Sequence, residues 1–295
     1  MSNWTPARLG NLSGKRIVVT GATNGVGLGT ARALVRAGAH VILAVRNVEL
    51  GAQRAAEIGG ETSVVKLDLA DLSSVRALPE QFDGDVDILI NNAGTVVQKR
   101  SETVDGFEIA MGTNFLGPFA LTNLLFDRVR SKIINVGSDA HKSATIDFDD
   151  PHLRSHKWSA LPAYARSKLA VMLWALELDR RLRAANSPVT TFLTHPGWVA
   201  SNLSNVSNRR TMMAFHSVVL GVANVIGNDI DAGAAPTLYC VTEPIPPGSY
   251  VGIDGRFGFK GGPTLSGRTA NACSYEDAGK LWAWAESETG TTLSV

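Results

Sequence analysis

Seven short runs rich in apolar and β-branched residues recur along the chain: RIVVT (16–20), HVILAV (40–45), SVVKL (63–67), DILIN (87–91), KIINV (132–136), VTTFL (189–193) and SYVG (249–252). They lack the strict apolar–polar alternation of a strand with one wet face, so both faces are expected to be covered. Most are separated by stretches with helical spacing, such as 25–37, 48–58 and 105–126. Strands alternating with helices predict an α/β fold, doubly wound, with a seven-stranded parallel sheet and helices on both faces. No internal repeat, low-complexity tract or linker breaks the rhythm, which predicts one domain over 1–295. In such a sheet ligands bind beyond the carboxyl ends of the strands, at the topological switch point.

Two stretches depart from the rhythm. KLAVMLWALEL (168–178) is apolar on nearly every side, and a helix of that kind cannot present an outer face to water. Either the segment 139–160 covers it or a second subunit does, with a homodimer or homotetramer built on this helix as the expectation. The segment 202–228, with Met212, Met213, Phe215 and Val218, has no strand–helix regularity. It reads either as an apolar, adaptable lid over a substrate or as a helix packed into the core.

Composition narrows the class. The chain is 44% hydrophobic and 19% charged, enough for a large core, and a formal net charge of +1 argues against a nucleic-acid footprint or general attraction to acidic membranes. Cys240 and Cys273 read as ordinary buried thiols in a reducing compartment, with no disulfide framework and no metal site. The first residues carry no apolar signal core, and no window approaches eighteen uninterrupted apolar residues. A soluble, cytoplasmic protein is expected.

The chemistry starts at TGATNGVG (20–27), after the first strand and at the start of the first helix. Gly21, Gly25 and Gly27 permit a tight turn and the approach of a pyrophosphate to backbone N–H groups at a helix N-terminus. A glycine-rich turn without a ligand is the plain alternative. At the end of the second strand an NAD site usually carries a carboxylate for the ribose 2′-OH; here Val45 holds that place and Arg46 follows. A guanidinium there can pair with a 2′-phosphate, which favours NADP over NAD, unless Arg46 is simply solvated. Asp68 ends the third strand, where it either accepts from an adenine amino group or caps the next helix.

TGATNGVG, NNAG (91–94), GSDAH (137–141), YARSK (164–168) and HPGWVAS (195–201) stand in the order of the short-chain dehydrogenase/reductase superfamily, which the chain resembles over nearly its whole length. GTNFLGPFALTNLL, the SDAH after the fifth strand and the long insert before the tyrosine make it most similar to the retinol-dehydrogenase-like and protochlorophyllide-reductase-like branch. The resemblance implies a Rossmann-type fold, NAD(P)-linked hydride transfer on a small molecule, and an active site of Asn114, Ser138, Tyr164 and Lys168. It places the cofactor against Gly21, Thr23, Asn24, Gly25, Val26, Gly27, Arg46, Asp68, Leu69, Asn92, Ala93, Gly94, Tyr164, Lys168, Pro196, Gly197, Val199 and Ser201. Gly137 stands where many relatives have a first serine, and Ser201 where a threonine is usual.

Tyr164 and Lys168 are four apart, on one helical face. A phenol with its ordinary pKa near ~10 exchanges its proton poorly at neutral pH, and a fixed ammonium nearby is expected to lower it. Tyr164 is then the proton donor in carbonyl reduction and the base in alcohol oxidation, with Ser138 on the substrate oxygen. Pro118 cannot donate to the carbonyl of Asn114, so a kink that leaves this carbonyl free to hold a relay water beside Lys168 is expected. In NNAG, Asn91 is expected to tie neighbouring strands and the next three residues to make room for a ribose. The Val199 backbone is expected at the carboxamide, and His195 is read as structural. Trp198 and residues 96–98 could line a hydrophobic substrate pocket. The competing reading is a non-catalytic NADP-binding module that senses nucleotide or binds a partner; the joint presence of Ser138, Tyr164 and Lys168 argues against it.

Overall fold

The computed structural model describes residues 4–197, 230–255 and 261–295. The proposed lid at 202–228 and Trp198, Val199 and Ser201 lie outside the described residues.

The strands are β1 (Arg16–Thr20), β2 (His40–Val45), β3 (Thr62–Lys66), β4 (Val86–Asn91), β5 (Val129–Val136), β6 (Thr190–Thr194), β7 (Tyr250–Ile253) and β8 (Pro263–Leu265). They form one sheet in the order β3-β2-β1-β4-β5-β6-β7-β8. Pairing is parallel throughout, except that β8 runs antiparallel to β7. The seven parallel strands match the apolar runs within a few residues. The eighth is a correction: three residues containing a proline make too short a run to stand out, and β8 pairs only along the sheet's edge.

Chain order reverses between β1 and β4, which defines the switch point. The helices that flank the sheet start where side chains can cap them. Asn24 begins α1 (Gly25–Arg36) by accepting from the Gly25 N–H, and Asn47 begins α2 (Val48–Ile58) by accepting from Leu50 N at 2.8 Å. Asp71, not Asp68, caps α3 (Leu72–Ala77) through the N–H groups of Ser73 and Ser74. The N-cap reading of Asp68 is thereby removed. Its carboxylate instead accepts from Ala70 N at 3.0 Å within the turn after β3.

The stretch expected to be one helix over 105–126 is composite. α4 (Ile109–Met111) widens into a π-helical turn, Gly112–Leu116, and continues as α5 (Gly117–Leu125) with Pro118 in its first turn. The distortion expected at 114–118 is therefore a π-bulge, one of the ways a helix accommodates a broken hydrogen-bond ladder. Among the described residues, Ile109–Arg128 is the one helical stretch long and apolar enough to cross a membrane, and most of it is buried in the protein core.

Two hydrophobic cores sandwich the sheet. One lies under α1 and α7 (Ile230–Thr242); the other lies under α5, α6 (Ala160–Ala184) and α8 (Tyr275–Thr289). The second explains the all-round apolarity of 168–178. Trp282 of α8 meets Phe119 with ring centroids 5.0 Å apart, Phe119 in turn meets Trp174 of α6 at 6.1 Å, and Ile146 and Phe148 of the insert join the same core. The helix is covered by its own chain, so the reason for expecting a dimer through it falls away. Cys240 is buried as expected, but Cys273 is exposed on a short 3₁₀ turn before α8.

Candidate active site

The floor of the site is built where β1 and β4 end side by side. Thr20 Oγ1 accepts from the N–H groups of Asn92 (3.0 Å) and Ala93 (2.9 Å), and the Asn92 amide donates back to Thr20 O at 2.8 Å. Gly21 turns with φ +68°, and a Cβ on it would press on the backbone of Ala93 at 3.0 Å. A Cβ on Gly27 would collide with the Asn92 amide and the Gly21 carbonyl. These glycines thus let the turn lie directly on the end of β4, with the N-terminus of α1 behind it. Thr23, Asn24, Gly25 and Val26 complete that turn, and Arg54 of α2 donates to Thr23 O at 3.2 Å.

Arg46 is exposed at the end of β2. A second cation, missed in the sequence because it belongs to the next strand, stands against it: Lys66 Nζ donates to Arg46 O at 2.5 Å. Parallel register places Val45 opposite Lys66, so basic residues stand at the neighbouring ends of β2 and β3. Asp68 and Leu69 follow β3, half-buried and buried respectively.

Below NNAG, Asn91 donates to Asn135 Oδ1 (2.9 Å) and Thr122 Oγ1 (3.0 Å), tying β4 to β5 and α5. Gly94 keeps clear the space beside the lysine: a Cβ there would stand 3.4 Å from Asn114 Oδ1 and 3.5 Å from Lys168 Nζ.

The π-bulge aims the Asn114 side chain at the loop after β4. Its Oδ1 accepts from Thr95 N at 2.7 Å, and its Nδ2 donates to Thr95 O at 3.0 Å and to Ser167 Oγ at 2.9 Å. Ser167 Oγ in turn donates to Tyr164 O at 2.8 Å. Asn114 therefore clamps the loop carrying Gly94 to the helix carrying the tyrosine. Thr95 and Ser167 were not singled out in the sequence; the one available signal is that Ser167 lies three residues after Tyr164, one turn along the same helix.

Ser138 follows β5 and caps a 3₁₀ turn (Asp139–Ser143), accepting from Ala140 N at 3.2 Å. Its neighbour Gly137 donates to Thr194 O at 2.7 Å, and a Cβ there would sit 3.3 Å from that oxygen, which is tight for the serine that many relatives have. Ser138 stands beside Tyr164 at the end of the sheet. Tyr164 is half-buried, and burial at its hydroxyl end pushes the phenol above its ordinary value, with Ser138 acting in the opposite sense.

Lys168 is 4% exposed, and burial pushes it down to about 8. Its Nζ donates to Val136 O at 2.8 Å and lies 5.8 Å from the Tyr164 ring centroid. The expectation that Lys168 lowers the tyrosine needs correction for the chain alone. The ammonium is turned to a backbone carbonyl, and the group that favours the phenolate here is Ser138.

The Pro196–Gly197 turn follows β6. Gly197 has φ +68°, and its N–H donates to His195 Nδ1 at 3.1 Å. His195 is 5% exposed, and burial lowers its pKa.

The residues fit a dinucleotide. The glycine turn offers a helix N-terminus, Gly94 leaves an open seat beside Lys168, and among the described residues the ammonium's one hydrogen bond is to Val136 O. Its remaining N–H groups suit ribose hydroxyls.

Comparison with known proteins agrees with this geometry. The family model for short chain dehydrogenases matches residues 15–211. Human retinol dehydrogenase 13 is 43% identical over 204 residues, covering 65% of this chain and 61% of that protein. Mouse polyprenol dehydrogenase is 42% identical over 206 residues, covering 64% and 61%. The chain thus spans about three fifths of the length of these curated relatives. Among solved structures, an uncharacterized protein from Mycobacterium paratuberculosis superposes with a TM-score of 0.86 at 39% identity, covering 100% of both chains. A Pseudomonas aeruginosa RhlG/NADP active-site complex superposes at 0.66 with 24% identity over 84% of this chain and 98% of that one, a likeness of fold. With the glycine turn on the end of β4 and a serine, a tyrosine and a lysine gathered at the end of β5, the chain belongs to the short chain dehydrogenase family.

Proposed function

We propose that the protein is an NADP(H)-dependent oxidoreductase that interconverts a carbonyl and an alcohol on a hydrophobic small molecule. The observation that carries this reading is the gathering of Ser138, Tyr164 and a buried Lys168 at the end of β5, with Ser138 favouring the Tyr164 phenolate and the Lys168 ammonium held at Val136 O. Bound in the glycine turn, the nicotinamide cofactor supplies the hydride in one direction and accepts it in the other. In reduction, Tyr164 Oη gives its proton to the substrate oxygen while Ser138 Oγ donates a hydrogen bond to the same oxygen as negative charge grows on it. Lys168, held against Val136 O, is positioned to offer its other N–H groups to ribose hydroxyls. Ser138 favours the phenolate that forms.

Two features support the finer points. Lys66 Nζ donates to the backbone carbonyl of Arg46, neither residue has a carboxylate hydrogen-bonded to it among the described residues, and two such cations would suit a 2′-phosphate. The relatives' names, retinol and polyprenol dehydrogenase, point to hydrophobic alcohols.

Fluorescence titration with NADPH and NADH, followed by a panel of hydrophobic aldehydes, ketones and alcohols, tests the reading. NADPH is expected to bind at least about tenfold more tightly than NADH, with Arg46→Ala removing that margin. Tyr164→Phe should retain nucleotide affinity and lose on the order of 10²–10⁴ in kcat. Failure to bind either nucleotide would overturn the assignment.

A further inference from the structure

The proposed chemistry uses Ser138, Tyr164 and Lys168 and leaves a second polar cluster beside them unassigned. Asp139, the residue after Ser138, projects toward the ends of β6 and β7. Its Oδ1 accepts from the Tyr250 hydroxyl at 3.2 Å and lies 3.6 Å from His195 Nε2, while its Oδ2 pairs with Lys142 at 2.9 Å. The His195 ring sits 5.4 Å from the Tyr250 ring, in space that exists because residue 252 is glycine: a Cβ there would collide with the imidazole. The buried His141 holds the other side of the serine. Its Nδ1 meets Ser138 O at 2.7 Å, and its backbone N–H donates to the same carbonyl at 3.2 Å.

His195 has a determined tautomer. Because Nδ1 accepts from Gly197 N, the proton of the neutral ring is on Nε2, which faces Asp139. One nitrogen therefore holds the Pro196–Gly197 turn and the other faces the residue bonded to Ser138. The imidazole spans the two loops that must keep register if a substrate oxygen at Ser138 is to face a nicotinamide over the turn. The contact at 3.6 Å is longer than a direct hydrogen bond and within reach of tightening when the site is filled.

We propose that His195 is a positioning residue that couples the Ser138 loop to the Pro196–Gly197 turn through Asp139, with Tyr250 anchoring the pair to the sheet. This rests on the functional reading above. The role is geometric: a displacement of about 1 Å between reacting groups can lower turnover by up to about 10²-fold.

Two replacements separate the two ends of the ring. In His195→Asn the short amide can still accept from Gly197 N but no longer reaches Asp139; in His195→Gln the longer amide can still donate toward Asp139 and loses the turn. His195→Asn is expected to leave the NADPH Kd within about twofold and lower kcat about tenfold, whereas His195→Gln should weaken NADPH binding. Asp139→Asn should resemble His195→Asn, and the double variant should be no worse than either single one, the mark of coupled residues. In the cofactor-free protein, imidazole nitrogen NMR shifts of His195 should report a proton on Nε2. Single-variant losses that multiply in the double variant, unchanged kcat in both single variants despite a lowered Tm, or a proton on Nδ1 would each overturn the coupling while leaving the oxidoreductase reading intact. Absence of nucleotide binding by the unaltered protein would overturn both.

Discussion

Burial alone holds Lys168 down at about 8, and its 4% exposure leaves water little part in hydrating the charge. That makes the lysine proposed for the active site a measurable burden on the fold. In the unfolded chain a lysine titrates near ~10.4. Below about pH 8 it is protonated in both states, and the folded protein bears the whole desolvation penalty. Between about pH 8 and 10.4 the unfolded chain binds more protons than the folded one, so stability rises with pH across that window. Comparison with Lys168→Met isolates this group, since the methionine does not titrate and other groups largely cancel. In urea unfolding of the cofactor-free proteins, the stability difference should move in favour of the unaltered chain by about 3 kcal/mol from about pH 7.5 to 10.5. A difference that stays flat would mean that the ammonium is already compensated, and its proposed readiness for ribose hydroxyls would lose its basis.

At the scale of elements, the glycine turn and the end of β4 form one packed unit, tied by Thr20 and kept close by Gly21 and Gly27. Gly27→Ala introduces a methyl into the Asn92 amide and a backbone carbonyl that has little freedom to yield. Overpacking of this kind should destabilise by about 1–3 kcal/mol, read as a lowered Tm, and should weaken nucleotide binding in titration because the turn itself must move. Unchanged Tm and Kd together would show that the turn and β4 are not packed as described. The turn was legible in the sequence because a tight approach admits only glycine, and the parallel strands were legible because burial on both faces leaves apolar runs. Thr20, Thr95 and Ser167 were not, since a small hydroxyl residue looks the same on a surface as in a clamp. Lys66 escaped notice for a related reason: its meeting with Arg46 depends on the pairing of β2 with β3, which no local spacing reveals. The π-bulge was half visible, because Pro118 announces a disturbed ladder without specifying how the helix resolves it.

For the whole molecule, the sheet separates two cores, and the helix that presents Tyr164 and Lys168 belongs to the one sealed by the last helix in the chain. The apolar pattern of 168–178 correctly demanded a cover, and the insert 139–160 supplies part of it; the rest comes from about a hundred residues downstream, a distance that pattern reading cannot bridge. Trp282 is its centre. It is 1% exposed, packs edge-on against Phe119 and lies under the Arg181 guanidinium at 4.3 Å. Trp282→Ala should cost about 3–5 kcal/mol, because the site is fully buried and Phe119, itself wedged against Trp174, cannot collapse far into the cavity. In a domain of this size, that lowers Tm on the order of 5–8 °C by differential scanning calorimetry. Trp282 meets α6 at Arg181 in its last turns, whereas Tyr164 and Lys168 stand in its first turns and are held by Ser167, Asn114 and Val136. Nucleotide Kd and kcat measured well below the lowered Tm should therefore stay within about twofold of the unaltered protein, as expected for sites without shared partners. A loss of turnover out of proportion to the change in Tm would show that α6 transmits strain along its length. The site would then depend on the C-terminal helix for its geometry as well as its stability.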